Sequence, residues 1–147
     1  MEQLLDALKR AFANTHAMYI KSHGFHWNCV GPEFPQYHEF FGTIYSEIYG
    51  AIDSFAEHIR ACGAYSPASY SQLASLTEVQ DEPGVPSMLD MVQALYTDNQ
   101  IVLNSLRAAY EAAEAAGEIG LSNYLQDRYD AHTKHAWQLR STLRINP

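Results

Sequence analysis

Apolar side chains recur every three or four residues through most of this 147-residue chain. That spacing places them along one face of an α-helix, and long stretches of alternating apolar and polar residues, as in strands, do not occur. The predicted helices are a first that ends at the Cys29–Pro32 break, a second over Gln36–Ala61, a third over Ser87–Ala116 and a fourth that begins near Glu118. The expected fold class is therefore all-α.

A long connection separates the second helix from the third. Between Gly63 and Pro86 the composition shifts to Ser, Pro, Gly and acidic residues, and one short amphipathic helix fits Tyr70, Leu73 and Leu76. A connection of this length suits a crossover between distant helices better than a hairpin. We expect one domain over residues 1–147, a four-helix bundle with a short extra helix in the crossover.

Charge and composition exclude several classes of protein. The formal net charge is −8, and the nine Lys and Arg residues form no basic patch of the kind that nucleic-acid surfaces show. No run of about 18 apolar residues predicts a membrane span, and acids stand near Met1 where a signal peptide is basic. A cytoplasmic protein is expected, with Cys29 and Cys62 both reduced.

Two histidines and two carboxylates form the most specific pattern, namely His26, His38, Asp53 and Glu57, spaced 12, 15 and 4 residues apart. Neutral imidazole with carboxylate suits iron or zinc. On one helix, His38 and Asp53 lie about 22 Å apart at a rise of about 1.5 Å per residue. Ligands of one ion lie about 2.0–2.6 Å from it, so the spacing predicts a site shared between two antiparallel copies.

Simpler interpretations compete with this one. Asp53 and Glu57 alone would most simply be an exposed acidic edge, although like charges at i, i+4 destabilise a helix slightly. Among the weaker candidates, His23 and His58 are neighbours of the ligands, and Trp27 is either a residue beside the metal or a cap on the core. The His132/His135 pair would be an adventitious surface ion site. For Tyr45 with Tyr49, interface packing is favoured over a redox relay. Nucleotide, acyl-transfer and thiol-redox motifs are missing, as is the Glu-x-x-His motif of bundles with a di-iron site inside one subunit.

The ligand residues belong to a longer signature, which reads His26-Trp27-Asn28-x-x-Gly31-Pro32-x-Phe34-x-x-x-His38-Glu39, followed by Asp53-x-x-Ala56-Glu57. It resembles the signature of the Dps proteins, the mini-ferritins. The resemblance is dense from about residue 19 to 63 and continues in outline through the last two helices.

The resemblance implies a ferritin-like bundle assembled, through two-fold dimers, as a hollow homododecamer. It implies ferroxidase sites at the dimer interface, with His26 and His38 from one subunit and Asp53 and Glu57 from its mate. Such shells oxidise Fe(II), typically with hydrogen peroxide in preference to oxygen, and store ferric mineral. The cofactor expected is therefore iron, with zinc as the other metal that the ligands accommodate. The acidic pores of the family are matched only loosely, by Glu118 and Asp127.

Two departures from the family pattern leave alternatives open. An acid that often stands four residues after the second histidine is replaced by Gly42, which puts a second iron position in doubt. A metal-sequestering shell with weak ferroxidase turnover is therefore one alternative. The other, a DNA-binding nucleoid protein, is disfavoured because no Lys/Arg-rich tail precedes the first helix and twelve copies would carry a formal charge of −96 at −8 each.

Overall fold

The computed structural model describes residues 1–144 and contains, within them, helices and no strand. The helices are α1 (Glu2–Asn28), α2 (Phe34–Ala61), α3 (Tyr70–Leu76), α4 (Met88–Ala116) and α5 (Ile119–Thr142). The four long helices form a bundle in which α1 packs against α2 and α4, α4 packs against α5, and α2 meets α5. The predicted all-α four-helix bundle is confirmed, including the short helix in the crossover.

Helix boundaries follow the local signals in the sequence. Ser87, the first residue of the predicted third helix, caps α4, because its hydroxyl accepts a hydrogen bond from the backbone N–H of Asp90 at 3.2 Å. Gly117 ends that helix with φ of +73°, a conformation that favours glycine. Helix α2 begins at Phe34, two residues before the predicted start, because Pro35 is tolerated in a first turn, where its missing N–H has no helical partner.

The core is formed by the predicted apolar faces of the four long helices. Its largest fully buried members include Leu8, Met18, Phe41, Ile44, Ile48, Phe55, Leu95, Leu106 and Leu125. Two parts of the three- and four-residue spacing are not fully buried in this core. Leu89, in the first turn of α4, is 55% exposed, although Met91 and Val92 in the next turn are fully buried. Tyr19, His23 and His26 lie only partly buried, on a second face of α1 that borders α2.

The crossover is fastened to α1 by polar contacts. The side-chain oxygen of Asn14 accepts hydrogen bonds from the hydroxyl of Thr77 at 2.9 Å and from the N–H of Glu78 at 2.7 Å. Lys21 donates to the carbonyl of Gln80 at 2.6 Å. These bonds pair backbone and side-chain groups that lose their hydrogen bonds to water when the protein folds. Across residues 1–144, no helix is both long and apolar enough to cross a membrane.

Candidate metal centre

His26 and His38 form a stacked pair across the loop between α1 and α2. Their ring centroids lie 3.7 Å apart, with an interplanar angle of 16°. The Nδ1 of His26 donates to the carbonyl of His38 at 2.6 Å, and the Nδ1 of His38 donates to the carbonyl of His26 at 2.7 Å. Because a carbonyl only accepts, each Nδ1 carries a proton and each neutral ring keeps its lone pair on Nε2. Histidines that bind metals are typically oriented by such a bond from the other ring nitrogen.

Gly42 makes room for this arrangement. A Cβ atom built at position 42 would lie 3.1 Å from both Cε1 and Nδ1 of His26. That distance is tighter than ordinary van der Waals contact, so any larger residue would press against the imidazole. Gly42 sits inside α2, where glycine costs about 0.5–1 kcal/mol relative to alanine. The ring of His26 therefore occupies space that a side chain at this position would need.

Asp53 and Glu57 lie farther along α2 and are exposed. Neither carboxylate forms an ion pair with a Lys, Arg or His side chain in the part of the chain that the structure describes. Residues 1–144 contain no group of three or more His, Cys, Asp and Glu side chains that could hold one ion. A single chain thus brings His26 and His38 together and leaves the two carboxylates apart from them.

The remaining candidates of the histidine region are packed among aromatic rings. His23 stacks on Tyr45, with ring centroids 3.8 Å apart, and contacts Trp27 at 4.0 Å. Burial and the neighbouring His26 lower the pKa of His23. Trp27 is 64% exposed, so it does not cap the core of its own chain. His58 lies against Tyr124, with centroids 4.3 Å apart, on the side of α2 that faces α5.

A buried polar cluster, the Glu47 cluster, joins α2, α4 and α5. Arg128 binds both carboxylate oxygens of Glu47, at 2.6 and 3.0 Å, and the Nε2 of His135 donates to the same carboxylate at 2.8 Å. Arg128 also donates to the Nε2 of His132 at 3.2 Å. The Nδ1 of His132 donates to the side-chain oxygen of Asn99 at 2.8 Å, and Asn99 donates back to the carbonyl of His132.

Protonation in this cluster follows from burial and hydrogen bonding. Burial opposes ionisation of Glu47, but hydrogen bonds from His135 and Arg128 outweigh it and hold the pKa of its carboxyl well below the usual range. Burial, with His135 and Arg128 nearby, lowers the pKa of His132 well below its usual value. His132 is therefore neutral, as its acceptor role toward Arg128 requires.

The Glu47 cluster corrects one expectation and adds residues that sequence reasoning missed. The His132/His135 pair is not a surface ion site, since the two rings are 0% and 4% exposed and committed to Asn99, Arg128 and Glu47. One signal could have found this cluster. Polar and charged residues that interrupt an apolar stripe need partners inside the bundle.

Similarity to known proteins extends over almost the whole chain. The family model of the ferritin-like domain matches residues 5–146. The DNA protection during starvation protein 2 of Bacillus anthracis is 30% identical over 142 residues, which cover 97% of each chain. This chain belongs to the Dps family. General stress protein 20U of Bacillus subtilis is 29% identical over 142 residues, covering 97% of this chain and 98% of the relative.

Solved Dps structures superimpose on the whole bundle. A Dps protein from Vibrio cholerae O1, described as a member of a broad superfamily of ferritin-like diiron-carboxylate proteins, gives a TM-score of 0.92 at 28% identity. The match covers 97% of this chain and 89% of that one. Dps from Bacillus brevis gives a TM-score of 0.91 at 29% identity, covering 97% and 95%. The resemblance and the ferritin-like fold expected from the sequence are confirmed.

Proposed function

We propose that this Dps protein oxidises Fe(II) at sites shared between two subunits and stores the ferric product. The observation that carries the proposal is the stacked pair of His26 and His38, whose two Nε2 lone pairs remain available to a metal. Two nitrogen donors without a carboxylate do not complete a site for iron. The missing oxygen ligands would be Asp53 and Glu57 of the partner subunit.

The surface beside the histidines supports pairing with a second copy. Three large apolar side chains of α1 and α2, Ile20, Trp27 and Tyr49, are 48%, 64% and 62% exposed. Exposed apolar groups that cluster on one face are typical of an interface. Antiparallel contact of two α2 helices would bring His38 of each subunit toward Asp53 of the other. Within one chain the two residues cannot meet, because they are too far apart along the same helix.

In this function Fe(II) is the substrate and hydrogen peroxide, or oxygen, is the oxidant. The imidazoles and carboxylates would hold Fe(II), and anionic carboxylates favour the ferric product, which eases loss of an electron. Removing iron and peroxide together would protect the cell against oxidative damage, in keeping with relatives named for starvation and general stress. We further propose a cytoplasmic shell of twelve subunits, each a single domain over residues 1–147, with zinc as an alternative occupant of the sites.

Replacing both carboxylates tests the site directly. In Asp53→Ala combined with Glu57→Ala, rapid oxidation of Fe(II) by peroxide should fall to the uncatalysed rate, because the histidines alone bind iron weakly. Stopped-flow absorbance of the ferric product measures this rate. The matched control is Glu114→Ala combined with Asp130→Ala, which removes two exposed acids from α4 and α5. Unchanged oxidation in the first variant, with the shell intact, would contradict the assignment.

A second candidate function is metal sequestration with weak turnover, and Gly42 favours it. Without a side chain at this position, the acid that often contributes to a second iron is absent, and His26 fills part of the space. Anaerobic titration of the metal-free protein with Fe(II) separates the two candidates. Saturation near one iron per subunit with oxidation near the uncatalysed rate would favour sequestration, whereas fast oxidation would favour the ferroxidase.

A further inference from the structure

A continuous run of aromatic rings connects the two ends of the candidate metal centre within one chain. It consists of Tyr45, His23, Tyr19 and Tyr49, and we call it the α1–α2 column. It starts at His26 and ends one helical turn from Asp53. In the proposed dimer those two residues belong to different iron sites, so the column would span the distance between them.

The first half of the column lies beside the histidine pair. The ring of Tyr45 is 5.1 Å from that of His26, between centroids, and stacks on His23 at 3.8 Å with an interplanar angle of 11°. Trp27 also contacts His23, with ring centroids 4.0 Å apart. Electron tunnelling decays steeply with distance, so ring-to-ring contacts of this length are favourable steps.

The second half leads along the same groove toward the carboxylates. Tyr19 lies 5.6 Å from His23 and 5.2 Å from Tyr49, between ring centroids. Tyr49 precedes Asp53 by four residues on α2, and side chains at that spacing are neighbours on a helix surface. Each step of the column is therefore short: Tyr45 lies beside His26 at one end, and Tyr49 lies one helical turn before Asp53 at the other.

One contact gives Tyr19 the chemistry that a relay residue needs. Its phenolic oxygen lies 3.2 Å from the Nδ1 of His23. A phenol loses an electron readily only if its proton has an acceptor, and Nδ1 accepts when the ring proton of His23 is on Nε2. Simple interface packing would not require a hydrogen-bonded base beside a tyrosine inside a row of stacked rings.

We propose that the α1–α2 column carries electrons between the two iron sites of one dimer, so that two singly occupied sites reduce one molecule of hydrogen peroxide together. The proposal rests on the shared-site function proposed above and on one iron per site, as Gly42 suggests. It gives Tyr45 and Tyr49 the relay role that their spacing in the sequence alone did not favour.

The electron balance requires such a link. Hydrogen peroxide needs two electrons and two protons to become two water molecules, and each Fe(II) supplies one electron on becoming Fe(III). The iron nearest the peroxide gives the first electron, and the iron at the other site gives the second through the column. Tyr19 passes its proton to His23 as it loses an electron and recovers both when the next electron arrives. A lone iron would instead cleave peroxide to hydroxide and a hydroxyl radical.

Tyr19→Phe tests the column because it removes the phenolic oxygen and keeps the ring. The protein is loaded anaerobically with one Fe(II) per subunit and mixed with half an equivalent of hydrogen peroxide per iron. Ferric absorbance gives the iron oxidised, and spin-trapping electron paramagnetic resonance gives the hydroxyl radical released. The wild type should oxidise two irons per peroxide with little radical. Tyr19→Phe should bind Fe(II) equally, release about tenfold more radical and oxidise the second iron about tenfold more slowly.

Controls separate this proposal from the function on which it rests. Tyr65→Phe, at an 81% exposed position outside the column, should match the wild type. Tyr49→Phe, at the far end and itself exposed, should reproduce the effect of Tyr19→Phe without disturbing the core. If both column variants match the wild type in radical yield and in iron oxidised per peroxide, the column is overturned while the ferroxidase stands. If the wild type neither binds nor oxidises Fe(II), both proposals fail.

Discussion

At the scale of single residues, the geometry of the histidine pair depends on Gly42, which has no side chain. The imidazole of His26 reaches the carbonyl of His38 by passing over position 42, where it would lie 3.1 Å from a Cβ atom. Glycine at this position lowers the intrinsic stability of α2 slightly. In return, the Nδ1 of His26 is held by its hydrogen bond to the carbonyl of His38, which in a neutral imidazole leaves the lone pair on Nε2.

Gly42→Ala should therefore weaken iron binding without unfolding the protein. The added Cβ gains about 0.5–1 kcal/mol of helix propensity, and displacing a packed ring costs about 1 kcal/mol or more. Thermal stability should stay near that of the wild type, while the Kd for Fe(II) rises several-fold, by the relation of about tenfold per 1.4 kcal/mol. Anaerobic titration measures the Kd. Gly120→Ala, at a helical glycine with open space around it, is the control. Equal affinity in both variants would contradict the role assigned to Gly42.

At the scale of helices, the bundle is joined by buried polar contacts as well as by its apolar core. The Glu47 cluster connects α2, which carries most of the candidate ligands, to α5 through Arg128 and His135. Asn99 extends the same cluster to α4 through two hydrogen bonds with His132. Such contacts fix how helices are rotated against each other, because each bond tolerates only a narrow range of geometry.

Glu47→Gln should destabilise the fold in a pH-dependent way. The folded pKa of Glu47 lies below its ordinary value of 4.5, so its ion pairs stabilise the protein above about pH 4.5 and lose that effect as pH falls further. At pH 7 we expect a loss of about 2 kcal/mol, below the 3–5 kcal/mol of fully buried pairs because the carboxylate is about one-third exposed.

Thermal unfolding at fixed protein concentration, repeated from pH 7 to pH 3, measures this difference. The gap between wild type and Glu47→Gln should shrink toward low pH, because below about pH 4.5 the unfolded wild type takes up a proton at Glu47 that the folded protein does not. Glu114→Gln, at an exposed position of α4, should unfold like the wild type at every pH. A gap that stays constant across this range would show that Glu47 acts through packing and not through its charge.

At the scale of the whole molecule, net charge governs which partners the proposed shell can attract. Each chain carries −8, and twelve chains would carry −96, which repels the phosphate backbone of DNA. Several relatives are named for DNA protection or DNA binding. The negative charge of this chain opposes binding to DNA.

The assembled protein should leave DNA unshifted in a gel at low salt, where attraction to phosphate would be strongest. The same preparation should have a mass near that of twelve chains of 16.6 kDa by light scattering. A fusion bearing a Lys-rich N-terminal extension is the positive control, since it adds the basic segment that DNA-binding tails supply. Retardation of DNA by the unmodified shell, lost as salt is raised, would contradict this prediction.

Sequence patterns alone predicted most of the fold. Apolar spacing located the four long helices, and Ser87 and Gly117 marked the ends of α4 as observed. Failures occurred where periodicity does not distinguish the faces of one helix. Leu89 continues the apolar stripe of α4 and yet is exposed, and His132 was assigned to the surface although it is fully buried. The role of the four candidate ligands in binding metal stays a prediction.

The sequence by itself determined the class of fold, the family and the inference that no single chain can close the metal site, because helical rise converts residue spacing directly into distance. Tertiary structure alone decided the protonated nitrogens of His26 and His38, the contact of His26 with Gly42, the partners of Glu47 and the continuity of the α1–α2 column. These features depend on how neighbouring helices are rotated against one another. That rotation is set by side-chain contacts between residues that are distant along the chain, and local periodicity carries no information about it.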